Sequence, residues 1–171
     1  MADRVVIIGG SSGIGLATAR LAHGQGFDVT ICGRSRERLH AAVRLRLADL
    51  SLSTDAGEAR QGPFGRMTTC AARATFVSRF WGPYVCARAA ARKVKESIVL
   101  FSGIASHKPF AGMHAVAAAN AAIEALARHM AVELAPVRVN VVAPGVVDTP
   151  AYDTLPAEQR AELFQGVARR I

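Results

Sequence analysis

Val5-Val6-Ile7-Ile8-Gly9-Gly10-Ser11-Ser12-Gly13-Ile14-Gly15 is the stretch that decides the fold. An apolar run passes directly into a glycine-rich turn, and an Ala/Leu-rich segment from Leu16 to Leu21 follows. Strand, tight turn and helix N-terminus in that order bring unpaired backbone N–H groups and partial positive charge to one point. That is the physical recipe for holding a dinucleotide pyrophosphate. Gly9 permits the tight turn, Gly13 leaves room for amides to approach phosphate, and Gly15 lets the helix pack close to the strand. The spacing is Gly-x3-Gly-x-Gly, not Gly-x-Gly-x-x-Gly. Glycine-rich turns occur in many folds, so the flanking strand and helix carry the inference.

Outward from this point, strands and helices alternate. Residues 4–8 are continuously apolar after Arg4, which predicts a strand buried on both faces of a parallel sheet. Residues 13–25 read as a helix that Gly24 and Gly26 end. Residues 27–32 form a second strand, and Ser35 can cap a helix starting at Arg36. Residues 43–47 alternate apolar residues with arginine, suggesting a third strand closing at Asp49-Leu50; a longer helix through Leu47 competes with it. The signal is weak over 51–75: one short helix over 53–61, broken by Gly62-Pro63, and a short central strand over 66–71. A helix over 76–94 carries Phe76, Phe80, Tyr84 and Ala87 at helical spacing, with Gly82-Pro83 expected to kink it. Residues 97–101 are a strand, 115–134 a long Ala-rich helix, 137–142 a strand ended by Pro144-Gly145, and 156–169 an amphipathic helix. This alternation predicts an α/β fold of three layers, a parallel sheet with helices on both faces and right-handed crossovers.

At 171 residues and 51% hydrophobic, the chain has material for one domain with a real core. No apolar stretch reaches the ~18 residues of a membrane span. Met1-Ala2-Asp3-Arg4 leads straight into the first strand, so no signal peptide is expected. Cys32, Cys70 and Cys86 lack metal-ligand spacing; no metal is expected, and reduced thiols in a cytoplasmic protein are the simplest reading. The formal net charge is +8, but the arginines are scattered and aromatics are only 6%, so no base-stacking platform is visible. The pattern is that of solvated basic helix faces and speaks against nucleic acid as a partner.

Taken together, the ordered segments resemble the short-chain dehydrogenase/reductase family. The loop 8–15 is similar to its cofactor loop, with Ile8 where threonine is usual, and Asp49-Leu50 resembles its adenine-contacting pair. Ser97-Ile98-Val99-Leu100-Phe101-Ser102-Gly103 resembles the strand that ends at the catalytic serine. Ala131-Val132-Glu133-Leu134-Ala135-Pro136-Val137-Arg138-Val139-Asn140 and Pro144-Gly145-Val146-Val147-Asp148-Thr149-Pro150 are close to its C-terminal half. The resemblance covers 4–50 and 76–156. It implies a Rossmann-like, doubly wound parallel sheet, incomplete at 171 residues because the family's last strand and substrate-covering helices are missing.

The resemblance also assigns roles. Gly9, Ser11, Ser12, Gly13, Ile14 and Gly15 cradle the pyrophosphate of a nicotinamide dinucleotide. Asp49 and Leu50 border the adenine. Pro144, Gly145, Val147 and Thr149 border the nicotinamide end. Arg34 directly follows the second strand, where an acidic residue would bind the ribose 2′-hydroxyl of NAD. Gly33 is neutral and Arg34 can pair with a 2′-phosphate, with Arg36 or Arg38 assisting, which favours NADP(H) over NAD(H).

Catalysis in the family rests on a Tyr-x-x-x-Lys pair, a serine and an asparagine. Aligning the helix Val116-Ala117-Ala118-Ala119-Asn120 puts Val116 at the tyrosine and Asn120 at the lysine. Gly103 then stands at the serine, beside Ser102, and Arg79 at the asparagine. Valine carries no proton, and asparagine no charge to depress a neighbour's pKa, although Asn120 can still hydrogen-bond the nicotinamide ribose. No residue is therefore assigned as catalytic. His114, considered as a replacement proton donor, reads better as a solvent-exposed loop histidine. A Ser102/His114/Asp148 triad lacks the nucleophile-elbow pattern.

Two functions follow. One is NADP(H)-dependent hydride transfer to or from a small carbonyl or alcohol, by family descent. The other is a catalytically silent nucleotide-binding or oligomerisation module, a pseudoenzyme or a truncated remnant. Both expect a homo-oligomer, dimer or tetramer, paired through the Ala-rich helix and the helix over 76–94.

Overall fold

The computed structural model describes residues 3–33, 35, 37, 39, 48–49, 61–153 and 155–168. They group into two compact units, Met1–Ser53 with Val146–Ile171, and Thr54–Gly145.

In the first unit, β1 (Arg4–Ile8), β2 (Asp28–Cys32) and β3 (Ala48–Asp49) form a parallel sheet in the order β1-β2-β3. β1 and β2 run in register from Arg4 opposite Asp28 to Ile8 opposite Cys32, and Ile31 faces Asp49 of β3. α1 (Gly13–Gly24) crosses one face and buries Ala19 against Val29, Ile31 and Leu39, with Ile7 and Leu16 packed around them. A left-handed Gly26 (φ +88°) turns the chain from α1 into β2. β1 does not have two buried faces. Ile7 reaches the core, whereas Val6 and Ile8 are more than half exposed. α1 covers one side, and no other described element of this unit covers the opposite one. Leu39 N donates to Ser35 O (3.0 Å) at the helical positions after β2. The expected strand residues 43–47 lie outside the described residues. α5 (Ala157–Ala168) returns onto the turn Pro150–Tyr152. Arg160 grips Asp148 and Asp153, and Phe164 meets Tyr152 edge-on at 5.5 Å.

In the second unit, α2 (Thr69–Phe76) runs through a π-helical turn, Val77–Trp81, into α3 (Gly82–Ala90). This corrects two expectations. Residues 66–71 are not a central strand. Thr68 caps a helix there, its Oγ1 accepting from Ala71 N at 3.2 Å. The helix therefore begins at Thr69 rather than near Phe76. At Gly82-Pro83, where a kink is expected, the regular α-helix gives way to the π turn. Pro83 lacks an N–H and would crowd the Arg79 carbonyl, so the preceding turn widens, and Gly82 N donates back to Val77 O.

β4 (Ser97–Phe101) and β5 (Arg138–Val142) form a parallel pair, Ser97 opposite Arg138 and Phe101 opposite Val142. α4 (His114–Glu133) connects them in one long crossover. Ile98 and Leu100 are buried against Ile123, Ala127 and Ala87, while Val99 and Phe101 on the other face are about half exposed. Ile123 is fully buried at the centre of this cluster. Ile123→Ala should therefore destabilise the protein by about 2–5 kcal/mol in urea unfolding. A loss under about 1 kcal/mol would show that α4 does not pack there as described.

Candidate functional site

The first unit contributes a loop and a helix end. At the close of β1, Gly9 N and Gly10 N both donate to Cys32 O (2.7 and 3.1 Å), folding the chain over the end of β2. Gly9 adopts φ +85°, which a side chain would strain. A Cβ on Gly15 would drive into the Gly9 carbonyl, so only glycine lets α1 start this close to β1. Ser12 is the N-cap residue, extended at φ −161° and ψ 167°, and its side chain makes no capping bond. The first bond of the helix is Leu16 N to Ser12 O (3.2 Å). The amides of Gly13, Ile14 and Gly15 thus precede the first helical hydrogen bond and have no acceptor within the helix.

Thr149 joins them: its side chain would be 3.5 Å from a Cβ on Gly13. It is fixed by the turn that Arg160 ties through Asp148 and Asp153, and its carbonyl accepts from Tyr152 N (3.1 Å). Val147 is exposed in the same turn. At the end of β2, a Cβ on Gly33 would come within 2.7 Å of Ser11 Oγ. A side chain at position 33 would therefore require the Ser11 hydroxyl to turn aside. Asp49 closes β3 opposite Ile31. Arg34, Arg36, Arg38 and Leu50 lie outside the described residues.

The second unit holds the positions aligned with the family's catalytic residues. Val116 and Asn120 are 2% and 3% exposed on the inner side of α4. Asn120 Nδ2 donates to Gly103 O (3.3 Å), and a Cβ on Gly103 would lie only 2.9 Å from that same nitrogen. Gly103 is extended (φ −178°), so sterics and not backbone strain call for glycine. The asparagine amide occupies the space a serine side chain would need. Pro144 O accepts from Ile104 N (3.0 Å), which ties the Pro144-Gly145 turn to the end of β4. His114 is not a loop residue. It opens α4, half-buried, its ring edge-on to Phe64 at 5.0 Å. Ser102 donates to Glu124 and Asp148 pairs with Arg160, so a Ser102/His114/Asp148 triad has no counterpart in these contacts.

Sequence reasoning does not single out Glu124, which the structure places at the centre of a polar network. Its Oε1 accepts from Ser102 Oγ (2.8 Å) and Ser106 Oγ (2.6 Å), and its Oε2 lies 3.2 Å from His107 Nε2. Burial alone would raise its carboxyl, but the bonds from Ser106 and Ser102 and the nearby positive charge of His107 and Arg128 outweigh it and hold the group below the ordinary glutamate value. The available signal is spacing. Val116, Asn120, Ile123, Glu124 and Ala127 share one helical face, and Glu124 is the charged residue on it. A cavity of about 460 Å³ opens beside Glu124, Arg128 and Asn140, and neither Gly103 nor Asn120 lines it. Among the described residues, no group of His, Cys, Asp and Glu is placed to hold a metal, and no helix is long and apolar enough to cross a membrane.

Comparison with known proteins gives this arrangement its relatives. Residues 3–51 match the short chain dehydrogenase family and residues 49–170 match the Enoyl-(Acyl carrier protein) reductase family. The short-chain dehydrogenase/reductase ATR9 of Stachybotrys chlorohalonatus is 30% identical over 189 aligned positions, covering 86% of this chain and 75% of that one. The chain belongs to the short-chain dehydrogenase/reductase family. Among solved structures of the family, a small-chain dehydrogenase in complex with NADPH superposes with a TM-score of 0.79 at 32% identity, covering 96% of this chain and 80% of that one. The MalC reductase/Diels-Alderase of Malbranchea aurantiaca reaches a TM-score of 0.83 at 26% identity, with 95% and 80% covered. These neighbours share the Rossmann-like α/β fold with this short-chain dehydrogenase/reductase, which spans about 80% of their length.

The fit between Gly103 and Asn120 is directly testable. Gly103→Ala should destabilise the protein by about 1–3 kcal/mol through overpacking, and Asn120→Ala in the same chain should recover part of that loss. A double-mutant cycle in urea reads the coupling. Strict additivity would show that the two residues do not share space.

Proposed function

We propose that this chain binds NADP(H) and, as an oxidoreductase of its family, takes part in hydride transfer to or from a small carbonyl or alcohol. The observation that carries the reading is the uncapped start of α1: the amides of Gly13, Ile14 and Gly15 lack internal acceptors, and the Ser12 hydroxyl makes no capping bond. This donor set suits a pyrophosphate. Ser11, Ser12 and Thr149 add hydroxyls around it, and Gly9 and Gly15 supply the turn and the close approach. Arg34 pairs with a 2′-phosphate, and Gly33 offers no carboxylate to the ribose 2′-hydroxyl of NAD. Asp49 and Leu50 border the adenine, and Asn120, Pro144, Gly145 and Val147 belong to the nicotinamide end. When bound, the dihydronicotinamide supplies the hydride; the chain's own part is to hold phosphate, orient the coenzyme and keep water from the buried side of α4.

A second reading, coenzyme binding without turnover, is supported by the replaced positions. Val116 carries no proton, and Asn120 fills the space beside Gly103 with an uncharged amide. Absence of a tyrosine acid removes a factor of roughly 10²–10⁴ from carbonyl reduction. The single-domain expectation belongs to this proposal, as does a cytoplasmic location. So does a homo-oligomer. Val77, Trp81 and Val85 are each close to half exposed and recur at helical spacing along the π turn and α3, forming a stripe for a second copy. Trp81→Asp should shift the assembly to monomer in sedimentation velocity, whereas an unchanged sedimentation coefficient would remove this face as the interface.

Calorimetric titration tests the coenzyme reading. NADPH should bind more tightly than NADH, and Arg34→Ala should weaken NADPH by about 10- to 100-fold, the worth of a charge-assisted hydrogen bond, with NADH little affected. Equal binding of the two nucleotides by wild type would contradict the role of Arg34. A screen of ketones and aldehydes for NADPH consumption then separates the two readings, with tight binding and no consumption identifying the silent module.

A further inference from the structure

The carboxylate of Glu124 joins three pieces of the second unit. It stands on α4 one turn after Asn120, its side chain 14% exposed. It holds Ser102, which follows β4, and Ser106 and His107, which belong to the turn beyond Gly103. That turn contains a conflict in proton supply. Three donors converge on Gly103 O: Ser106 N (3.1 Å), Ser106 Oγ (2.8 Å) and Asn120 Nδ2 (3.3 Å). A carbonyl has two lone pairs, and the Ser106 hydroxyl has one proton. Ser106 Oγ is also 2.6 Å from Glu124 Oε1. An ionised acceptor forms the stronger bond. While Glu124 is charged, the hydroxyl proton therefore goes to the carboxylate. The Gly103 carbonyl is left to the Ser106 amide and to Asn120.

From this geometry we propose that Glu124 is a positioning residue for the nicotinamide end of the coenzyme site: by drawing the Ser106 proton away, it reserves the Gly103 carbonyl for the Asn120 amide and so sets how that amide is presented. The inference rests on the coenzyme reading above. Loss of the Glu124 charge frees the Ser106 hydroxyl to turn onto Gly103 O and displace Asn120. The titratable or charged groups around the carboxylate are His107, from the turn, and Arg128, from α4 itself. Ser102 and Ser106 are neutral. Because the carboxyl sits below its ordinary value, the displacement sets in only on the acid side of the usual carboxylate range.

Two probes separate the ends of the site: NADPH, and adenosine 2′,5′-bisphosphate, which lacks the nicotinamide half. Titrations use the full chain. Glu124→Ala should weaken NADPH by about 3- to 10-fold, the worth of one neutral hydrogen bond, and leave the bisphosphate within about twofold. Glu124→Gln, which keeps the shape but not the charge, should weaken NADPH in the same direction as Glu124→Ala. Adding Ser106→Ala to Glu124→Ala should restore NADPH affinity, since the competing hydroxyl is gone. A structural role alone would not produce that rescue.

Should Glu124→Ala fail to fold, the pH profile decides without it. On the acid side of the ordinary glutamate range, wild type should lose affinity for NADP⁺, the acid-stable coenzyme form, relative to the bisphosphate, and Ser106→Ala should not. Equal weakening of both probes, no weakening of either, a double variant weaker than Glu124→Ala, or an acid loss shared by Ser106→Ala would each overturn the proposal. If wild type binds neither probe, the coenzyme reading itself has failed and this inference falls with it.

Discussion

One carbonyl organises the first unit. Cys32 O, at the end of β2, accepts from two successive amides, Gly9 N and Gly10 N. The paired bonds end β1, fold the chain across the sheet edge and start α1 with its first amides unused by the helix. Gly9 tolerates the left-handed backbone this requires, and Gly15 admits the close approach of the helix to the Gly9 carbonyl. Everything proposed about phosphate recognition depends on this arrangement. The turn carrying Thr149 is brought to the same loop and is braced by Arg160 between Asp148 and Asp153.

The second unit shows how positions that depart from the family can fit one another. Val116 and Asn120 are core, and a Cβ on Gly103 would crowd the Asn120 amide at 2.9 Å. A serine restored at position 103 alone would meet that amide. A lysine placed alone at position 120 would bury an ammonium on a helix face that already packs against β4. Gly103 and Asn120 thus fit one another. Glu124 completes the set, since its charge decides which donor the Gly103 carbonyl receives.

Much of the fold is legible in the sequence because periodicity reports burial. The loop 9–15, α1, β2, β4, α4, β5 and α5 follow within a residue or two from apolar runs and the glycines between them. The misreadings have physical causes. Residues 66–71 are expected as a short strand by their place in the alternation, yet Thr68 serves as a helix cap. β1 reads as buried on both faces from composition alone, and what covers a strand is a tertiary fact. In the site, the phosphate loop is readable because glycine constraints are local. The Glu124 network is not, because it depends on a turn from one part of the chain meeting a helix face from another.

The most direct test of the central claim watches the three amides themselves. In ¹H–¹⁵N correlation spectra of the full chain, adding NADP(H) should shift the Gly13, Ile14 and Gly15 resonances by a saturable amount and protect those amides from solvent exchange. Saturable binding elsewhere with these three resonances unmoved would contradict the account.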